Sequence, residues 1–109
     1  MRIERELMRG AGPIAVMHLL ESGEKYGYEL VQVLEKRTSG VLGMGQSTLY
    51  PMLYNLQAKG LIAGRATEVE GRPRKYYRLT EKGKRHLARQ QKQWQSLALA
   101  MGNLGLIGT

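Results

Sequence analysis

From Leu61 to Leu79 the chain leaves the helical period that governs it on both sides. Leu61-Ile62-Ala63-Gly64-Arg65-Ala66-Thr67-Glu68-Val69 reads as a strand, Glu70-Gly71-Arg72-Pro73-Arg74 as a glycine-containing turn, and Lys75-Tyr76-Tyr77-Arg78-Leu79 as the return strand. That second strand is aromatic and sets Tyr77 and Leu79 on one face. Gly60 supplies a left-handed helix stop before the hairpin. Thr80 supplies an N-cap after it, followed by Glu81, a charge that the positive end of a helix favours. A single hairpin between helical segments predicts a mostly α fold with a two-stranded β-wing.

The flanking helices read as follows. Residues 1–9 predict a short amphipathic helix with Ile3 and Leu7 on one side, and Gly10 and Gly12 weaken the join that follows. Pro13 then opens a second helix at its first position, running through Ile14, Val16, Met17 and Leu20 to about Glu21. Ser22 to Lys25 predicts a turn, and a helix starting between Tyr26 and Tyr28 carries Leu30, Val33 and Leu34. Thr38-Ser39-Gly40 and Gly43-Met44-Gly45 bracket a loop. After Thr80 the last helix runs to about Met101, with Leu87, Gln90, Trp94, Leu97, Met101 and Leu104 at spacings of three and four, a heptad seam.

The helix from Gln46 or Ser47 to Lys59 has two chemistries. At about 100° per residue, Leu49, Met52, Leu53 and Leu56 share one face. Ser47, Pro51, Tyr54 and Ala58 share the opposite one, with Tyr50 on one flank and Thr48 and Asn55 on the other. Pro51 is tolerable only in or next to the first turn. One face suits the core and the other is free for a partner.

Charge points to what that partner is. The chain of 109 residues is one domain's length and carries a net charge of +8. Residues 59–92 hold eleven Lys and Arg against three Glu, and the remainder holds six of each sign. One third of the chain therefore carries the whole excess, a field that attracts a polyanion. A narrow helix with small polar and aromatic side chains fits a major groove, and a basic hairpin tip at Arg72, Arg74 and Lys75 fits the backbone or minor groove beside it. The hydroxyls of Ser47, Thr48, Tyr50 and Tyr54 suit phosphate oxygens, and the Asn55 amide would pair with adenine if it points inward. Packing of Tyr50 and Tyr54 within the fold, or a merely solvated basic turn, is the alternative at each position.

Other classes find little support. Cysteine is absent, so there is no disulfide, thiolate nucleophile or cysteine metal site. His18 and His86 stand far apart in a chain without Asp, which argues against a metal centre, and no cofactor is expected. Glu29 has no partner acid and reads as paired with Lys25 or Arg37. No phosphate-binding loop, nucleophile elbow or dinucleotide fingerprint occurs, so an enzyme is not expected. The longest apolar stretch is too short to span a bilayer and no secretory signal is visible, which makes the cytoplasm the expected compartment.

Four blocks in order carry a family resemblance: Tyr26-Gly27-Tyr28-Glu29-Leu30; Ser47-Thr48-Leu49-Tyr50-Pro51-Met52-Leu53; Leu56 to Gly60-Leu61-Ile62; and Gly71-Arg72-Pro73-Arg74-Lys75-Tyr76-Tyr77-Arg78-Leu79-Thr80-Glu81-Lys82-Gly83. Over roughly residues 7–100 the chain resembles the PadR family of bacterial transcriptional regulators, in the short form with a single C-terminal helix. The resemblance implies a winged helix-turn-helix domain over 1–83 and a dimerisation helix and tail over 84–109. It implies a homodimeric repressor on a palindromic operator in double-stranded DNA. Ser47, Thr48, Tyr50 and Tyr54, with Asn55 beside them, then face DNA from the recognition helix, and Arg72, Arg74 and Lys75 from the wing. Leu87, Trp94, Leu97 and Met101 would form the dimer seam. Trp94 falls where a multidrug-sensing member stacks planar ligands, which implies a small aromatic or hydrophobic effector held near Trp94, Gln90 and Ile14; Gly10 and Pro13 differ from that member. Two alternatives stay open: a DNA-binding protein without a small-molecule sensor, and a winged helix used as a protein-interaction module.

Overall fold

A computed structural model describes residues 1–108. Its elements run α1 (Arg5–Leu20), β1 (Lys25–Tyr26), α2 (Gly27–Arg37), α3 (Gln46–Ala58), β2 (Ile62–Val69), β3 (Arg72–Leu79) and α4 (Glu81–Asn103). The three strands form an antiparallel sheet in the order β1-β3-β2. This is a winged helix-turn-helix with one long C-terminal helix, as the sequence implies, and its wing has three strands where two were expected. The extra strand is the two residues Lys25 and Tyr26, which pair with Tyr77 and Tyr76. Two residues carry no readable alternation, and it is the free edge of β3 that draws them into extended pairing.

The hairpin turn is shorter than the sequence suggested. Val69 pairs with Arg72, so only Glu70 and Gly71 form the loop. Their φ values of 52° and 77° are the signature of a type I′ turn, whose twist matches that of the strands. Pro73 therefore lies inside β3, where β1 does not reach. There β3 has a free edge, and the missing N–H costs no ladder bond.

The first two expected helices are one. α1 runs unbroken through Gly10, Gly12 and Pro13. Pro13 forgoes one hydrogen bond, and packing outweighs that loss: Met8, Val16, Met17, Leu19 and Leu20 all reach the same core. Gly12 is buried where a Cβ would stand 2.6 Å from the Met52 Cε, so the tip of the Met52 side chain occupies the space a larger residue would take. Pro51 likewise lies within α3, on the exposed face. Glu29 forms no ion pair with Lys25 or Arg37; its carboxylate accepts the Tyr26 N–H at 3.2 Å and caps α2.

The core is one cluster gathered from all four helices and the sheet, with Leu30, Leu49, Leu53, Ile62 and Leu87 among its fully buried members. The expected leucine face of α3 lies inside it, with Met52 half-buried at its margin. Thr80 caps α4 by accepting the Gly83 N–H at 3.0 Å. Among the described residues no helix is long and apolar enough to cross a membrane, and no cluster of His, Cys, Asp or Glu has metal-binding proximity.

Candidate nucleic-acid interface

With Leu49, Leu53 and Leu56 buried, α3 turns the rest of its circumference outward. Ser47, Thr48, Pro51, Tyr54 and Asn55 are exposed, Tyr54 at 73%. Tyr50 is 42% exposed, and its hydroxyl turns toward the start of α2, lying 2.5 Å from where a Cβ on Gly27 would be. It thus has a packing role beside any other. Burial raises the pKa of the neighbouring Tyr77 phenol, and Tyr50 adds to that rise. α3 has no side-chain cap at Gly45, so N–H groups of its first turn remain open to a partner.

The wing cations divide between two faces. Successive strand residues point to opposite sides, so Arg72, Arg74 and Tyr76 share one face and Lys75, Tyr77 and Leu79 the other. Lys75 reaches α3, where its Nζ donates to Gln57 Oε1 at 3.3 Å and stands 5.5 Å from the Tyr77 ring centroid. Arg74 lies 4.2 Å over the Tyr26 ring, which meets Tyr76 edge-on at 5.6 Å. The Tyr76 hydroxyl beside it raises the Arg74 pKa, with a smaller contribution from Tyr26. Arg72 is exposed at the tip.

Sequence reasoning missed two partners that shape this surface. Gln57 holds Lys75 against the flank of α3; a glutamine on a helix surface gives no signal of that kind. Arg65 is held by Glu24, with its Nε donating to Glu24 Oε2 at 3.0 Å and a second, shorter contact from its Nη2 to Glu24 Oε1. That pairing lowers the Glu24 pKa and takes one wing cation out of the free positive field. Neither residue could be matched without the register that sets Arg65 opposite Tyr76.

The residues expected at the seam and effector site sit at two depths. Leu87 lies wholly inside the protomer core, and Gln90 and Ile14 are half-buried on α4 and α1. Beyond Gln91, which meets His18 at 3.4 Å, α4 projects outward. Trp94 is 36% and Leu97 45% exposed, and Met101 is half-buried.

Comparison with known proteins agrees with this architecture. The model of the Transcriptional regulator PadR-like family matches residues 16–89. The chain is 33% identical to the transcriptional regulator Rv3488 of Mycobacterium tuberculosis, over 86% of this chain and 85% of that one. A PadR family transcriptional regulator from Eggerthella lenta has a similar structure, with a TM-score of 0.82 and 34% identity, over 94% of this chain and 88% of that one. Bacillus subtilis PadR, solved in complex with operator DNA, is similar with a TM-score of 0.65 and 30% identity, over 70% of this chain and 44% of that one. With a family match spanning most of the fold and relatives aligned across nearly its full length, the chain belongs to the PadR-like family of transcriptional regulators.

Proposed function

We propose that this regulator is a homodimeric repressor that reads a palindromic operator in double-stranded DNA. The observation that carries the proposal is the exposed hydroxyl and aromatic ridge of α3, backed by buried leucines and flanked by the wing. In this reading Ser47, Thr48, Tyr50, Tyr54 and Asn55 enter the major groove. Arg72 and Arg74 lie along the adjacent backbone, and Lys75 meets phosphates beside α3. The domain over 1–83 docks on DNA, and the part of α4 beyond it pairs two protomers through Trp94, Leu97 and Met101. Two recognition helices must sit roughly 34 Å apart to meet successive major grooves, and the paired α4 helices set that distance. That a neighbour in the same family was crystallised with operator DNA supports the reading.

Two expected outcomes test it. In fluorescence anisotropy on duplex DNA, affinity falls steeply as salt rises, because bound phosphates release counterions. Tyr54→Ala lowers affinity by about 10- to 100-fold without changing the melting temperature, since its side chain lies outside the core. A salt-independent interaction, or full affinity in Tyr54→Ala, contradicts the proposal.

The effector belongs to the same proposal. A flat ligand wedged beside Trp94, Gln90 and Ile14 would bind one spacing of the two heads better than another and so shift the population of DNA-competent dimers. Titrating Trp94 fluorescence with planar cations and phenolic acids should show saturable quenching. Emission unchanged by all of them removes the effector site from this region.

A further inference from the structure

The N-terminal segment looks electrically unremarkable in sequence, with three arginines and two glutamates in residues 1–9. The fold separates those charges. Arg2, Arg5 and Arg9 line one wall of a groove of about 730 Å³, and Ser47, Thr48 and Asn55 of α3 line the other, with Lys59 at the end of that helix. No carboxylate lines the groove; Glu4 and Glu6 lie outside its lining. Among the described residues none of these four cations forms an ion pair, whereas Arg65 and Lys84 are paired with Glu24 and Glu81.

The backbone that carries the arginines is anchored. The Ile3 N–H donates to the Val41 carbonyl at 3.1 Å, and Ile3 packs on the core, which ties the residue beside Arg2 to the loop before α3. Arg5 and Arg9 are one turn apart on α1, which packs with α3 into the same core.

Their position relative to α3 decides what they can meet. The outward ridge of α3 is Ser47, Pro51 and Tyr54. Gln57, which holds Lys75 of the wing, lies on one flank of that ridge. Thr48, Asn55 and Lys59 lie on the other, facing the arginines. A helix in a major groove about 12 Å wide has a phosphate backbone on each side. The wing supplies cations for one strand and leaves the other strand unmet.

We propose that Arg2, Arg5, Arg9 and Lys59 bind the phosphate backbone on the side of the major groove opposite the wing, so that the recognition helix is clamped between two cationic walls. The inference rests on the DNA-binding reading above. These contacts carry no base information, so they set the depth and register of α3 and add affinity uniformly across sequences.

The test is a salt titration of the full-length protein on two duplexes, one of random sequence and one from the DNA flanking its own coding region. A triple variant, Arg2→Gln, Arg5→Gln and Arg9→Gln, is compared with a triple lysine replacement at the same positions. The glutamine variant should reduce the slope of log affinity against log salt by up to ~2.7 per protomer. Affinity near physiological salt should fall roughly a hundredfold per protomer, equally on both duplexes. Its melting curve should be unchanged, because all three side chains are exposed. Lysine should restore most of the slope, since a phosphate needs charge more than a planar fork. An unchanged slope in the glutamine variant, or a folded lysine variant that fails to restore it, overturns this inference and leaves the DNA-binding proposal standing. An unsubstituted protein whose binding is flat with salt overturns the DNA-binding proposal itself, and this inference with it.

Discussion

Leu97→Glu should leave the winged-helix core folded, convert the proposed dimer to a monomer and lower operator affinity by about 10²- to 10⁴-fold. α4 is 23 residues long, so it extends roughly 34 Å, and its core contribution ends with Leu87. Past that point it leaves Trp94 and Leu97 partly exposed and Leu99 71% exposed, with Leu104 exposed at its end. Such a run of apolar side chains on a projecting helix marks an interaction face. A glutamate at Leu97 would place a charge in each half of the proposed apolar seam, where burying it is costly. The affinity loss follows from linkage: once one head is bound, its partner acts at millimolar effective concentration, and separated heads lose that advantage. Sedimentation equilibrium reads the mass, anisotropy the affinity and circular dichroism the fold. A variant that remains dimeric, or a monomer with undiminished operator affinity, contradicts the assigned role of α4.

Gly83→Ala should be the most damaging single methyl addition in the molecule. Gly83 is buried in the first turn of α4, and a Cβ there would overlap the carbonyl oxygen of Leu61 and lie 3.2 Å from Leu79 Cδ2. That carbonyl cannot give way: it accepts the Thr80 N–H at 3.2 Å, and the Leu61 N–H is bonded to Leu56 at 3.0 Å. The junction of α3, the wing and α4 converges on this point. Overpacking against backbone should cost about 3 kcal/mol, near the upper end of its usual range. For a domain of this size that lowers the melting temperature by roughly 12–24 °C. Gly10→Ala is the internal control with the opposite sign. Gly10 lies mid-helix with nothing near its added Cβ, and alanine should stabilise α1 by up to ~1 kcal/mol. Calorimetry on the two variants decides the matter; a Gly83→Ala protein that melts like the unsubstituted chain would mean the junction is looser than described.

These two glycines also show where sequence was informative and where it was not. The leucine face of α3, Gly60 as a stop and Thr80 as a cap are local patterns, and each appears in the fold as expected, whereas the α4 heptad divides, with Leu87 inside the protomer core and Trp94 and Leu97 outside it. What depends on a distant partner did not appear. The break expected at Gly10–Pro13 is absent because Met8, Val16, Met17, Leu19 and Leu20, on both sides of it, pack into one core with distant elements. β1 exists because β3 offers it an edge. In sequence the wing cations form one basic tip, and strand alternation sends Arg74 to the tyrosines and Lys75 to α3. The charge count divided the chain into a basic third and a neutral remainder, yet Arg2, Arg5 and Arg9 of the neutral part gather on one wall beside α3. Linear charge sums cannot see a helix that turns its arginines one way and its glutamates another.

Hydroxyl-radical footprinting of the DNA flanking the protein's own coding region addresses the function most directly. Two heads held by paired α4 helices should protect two patches related by inverted symmetry, centred about 10 bp apart or a multiple of that, at salt concentrations near physiological. Protection that is absent throughout that region, or confined to a single patch without a symmetric mate, would contradict the reading of this molecule as a twofold, groove-reading regulator.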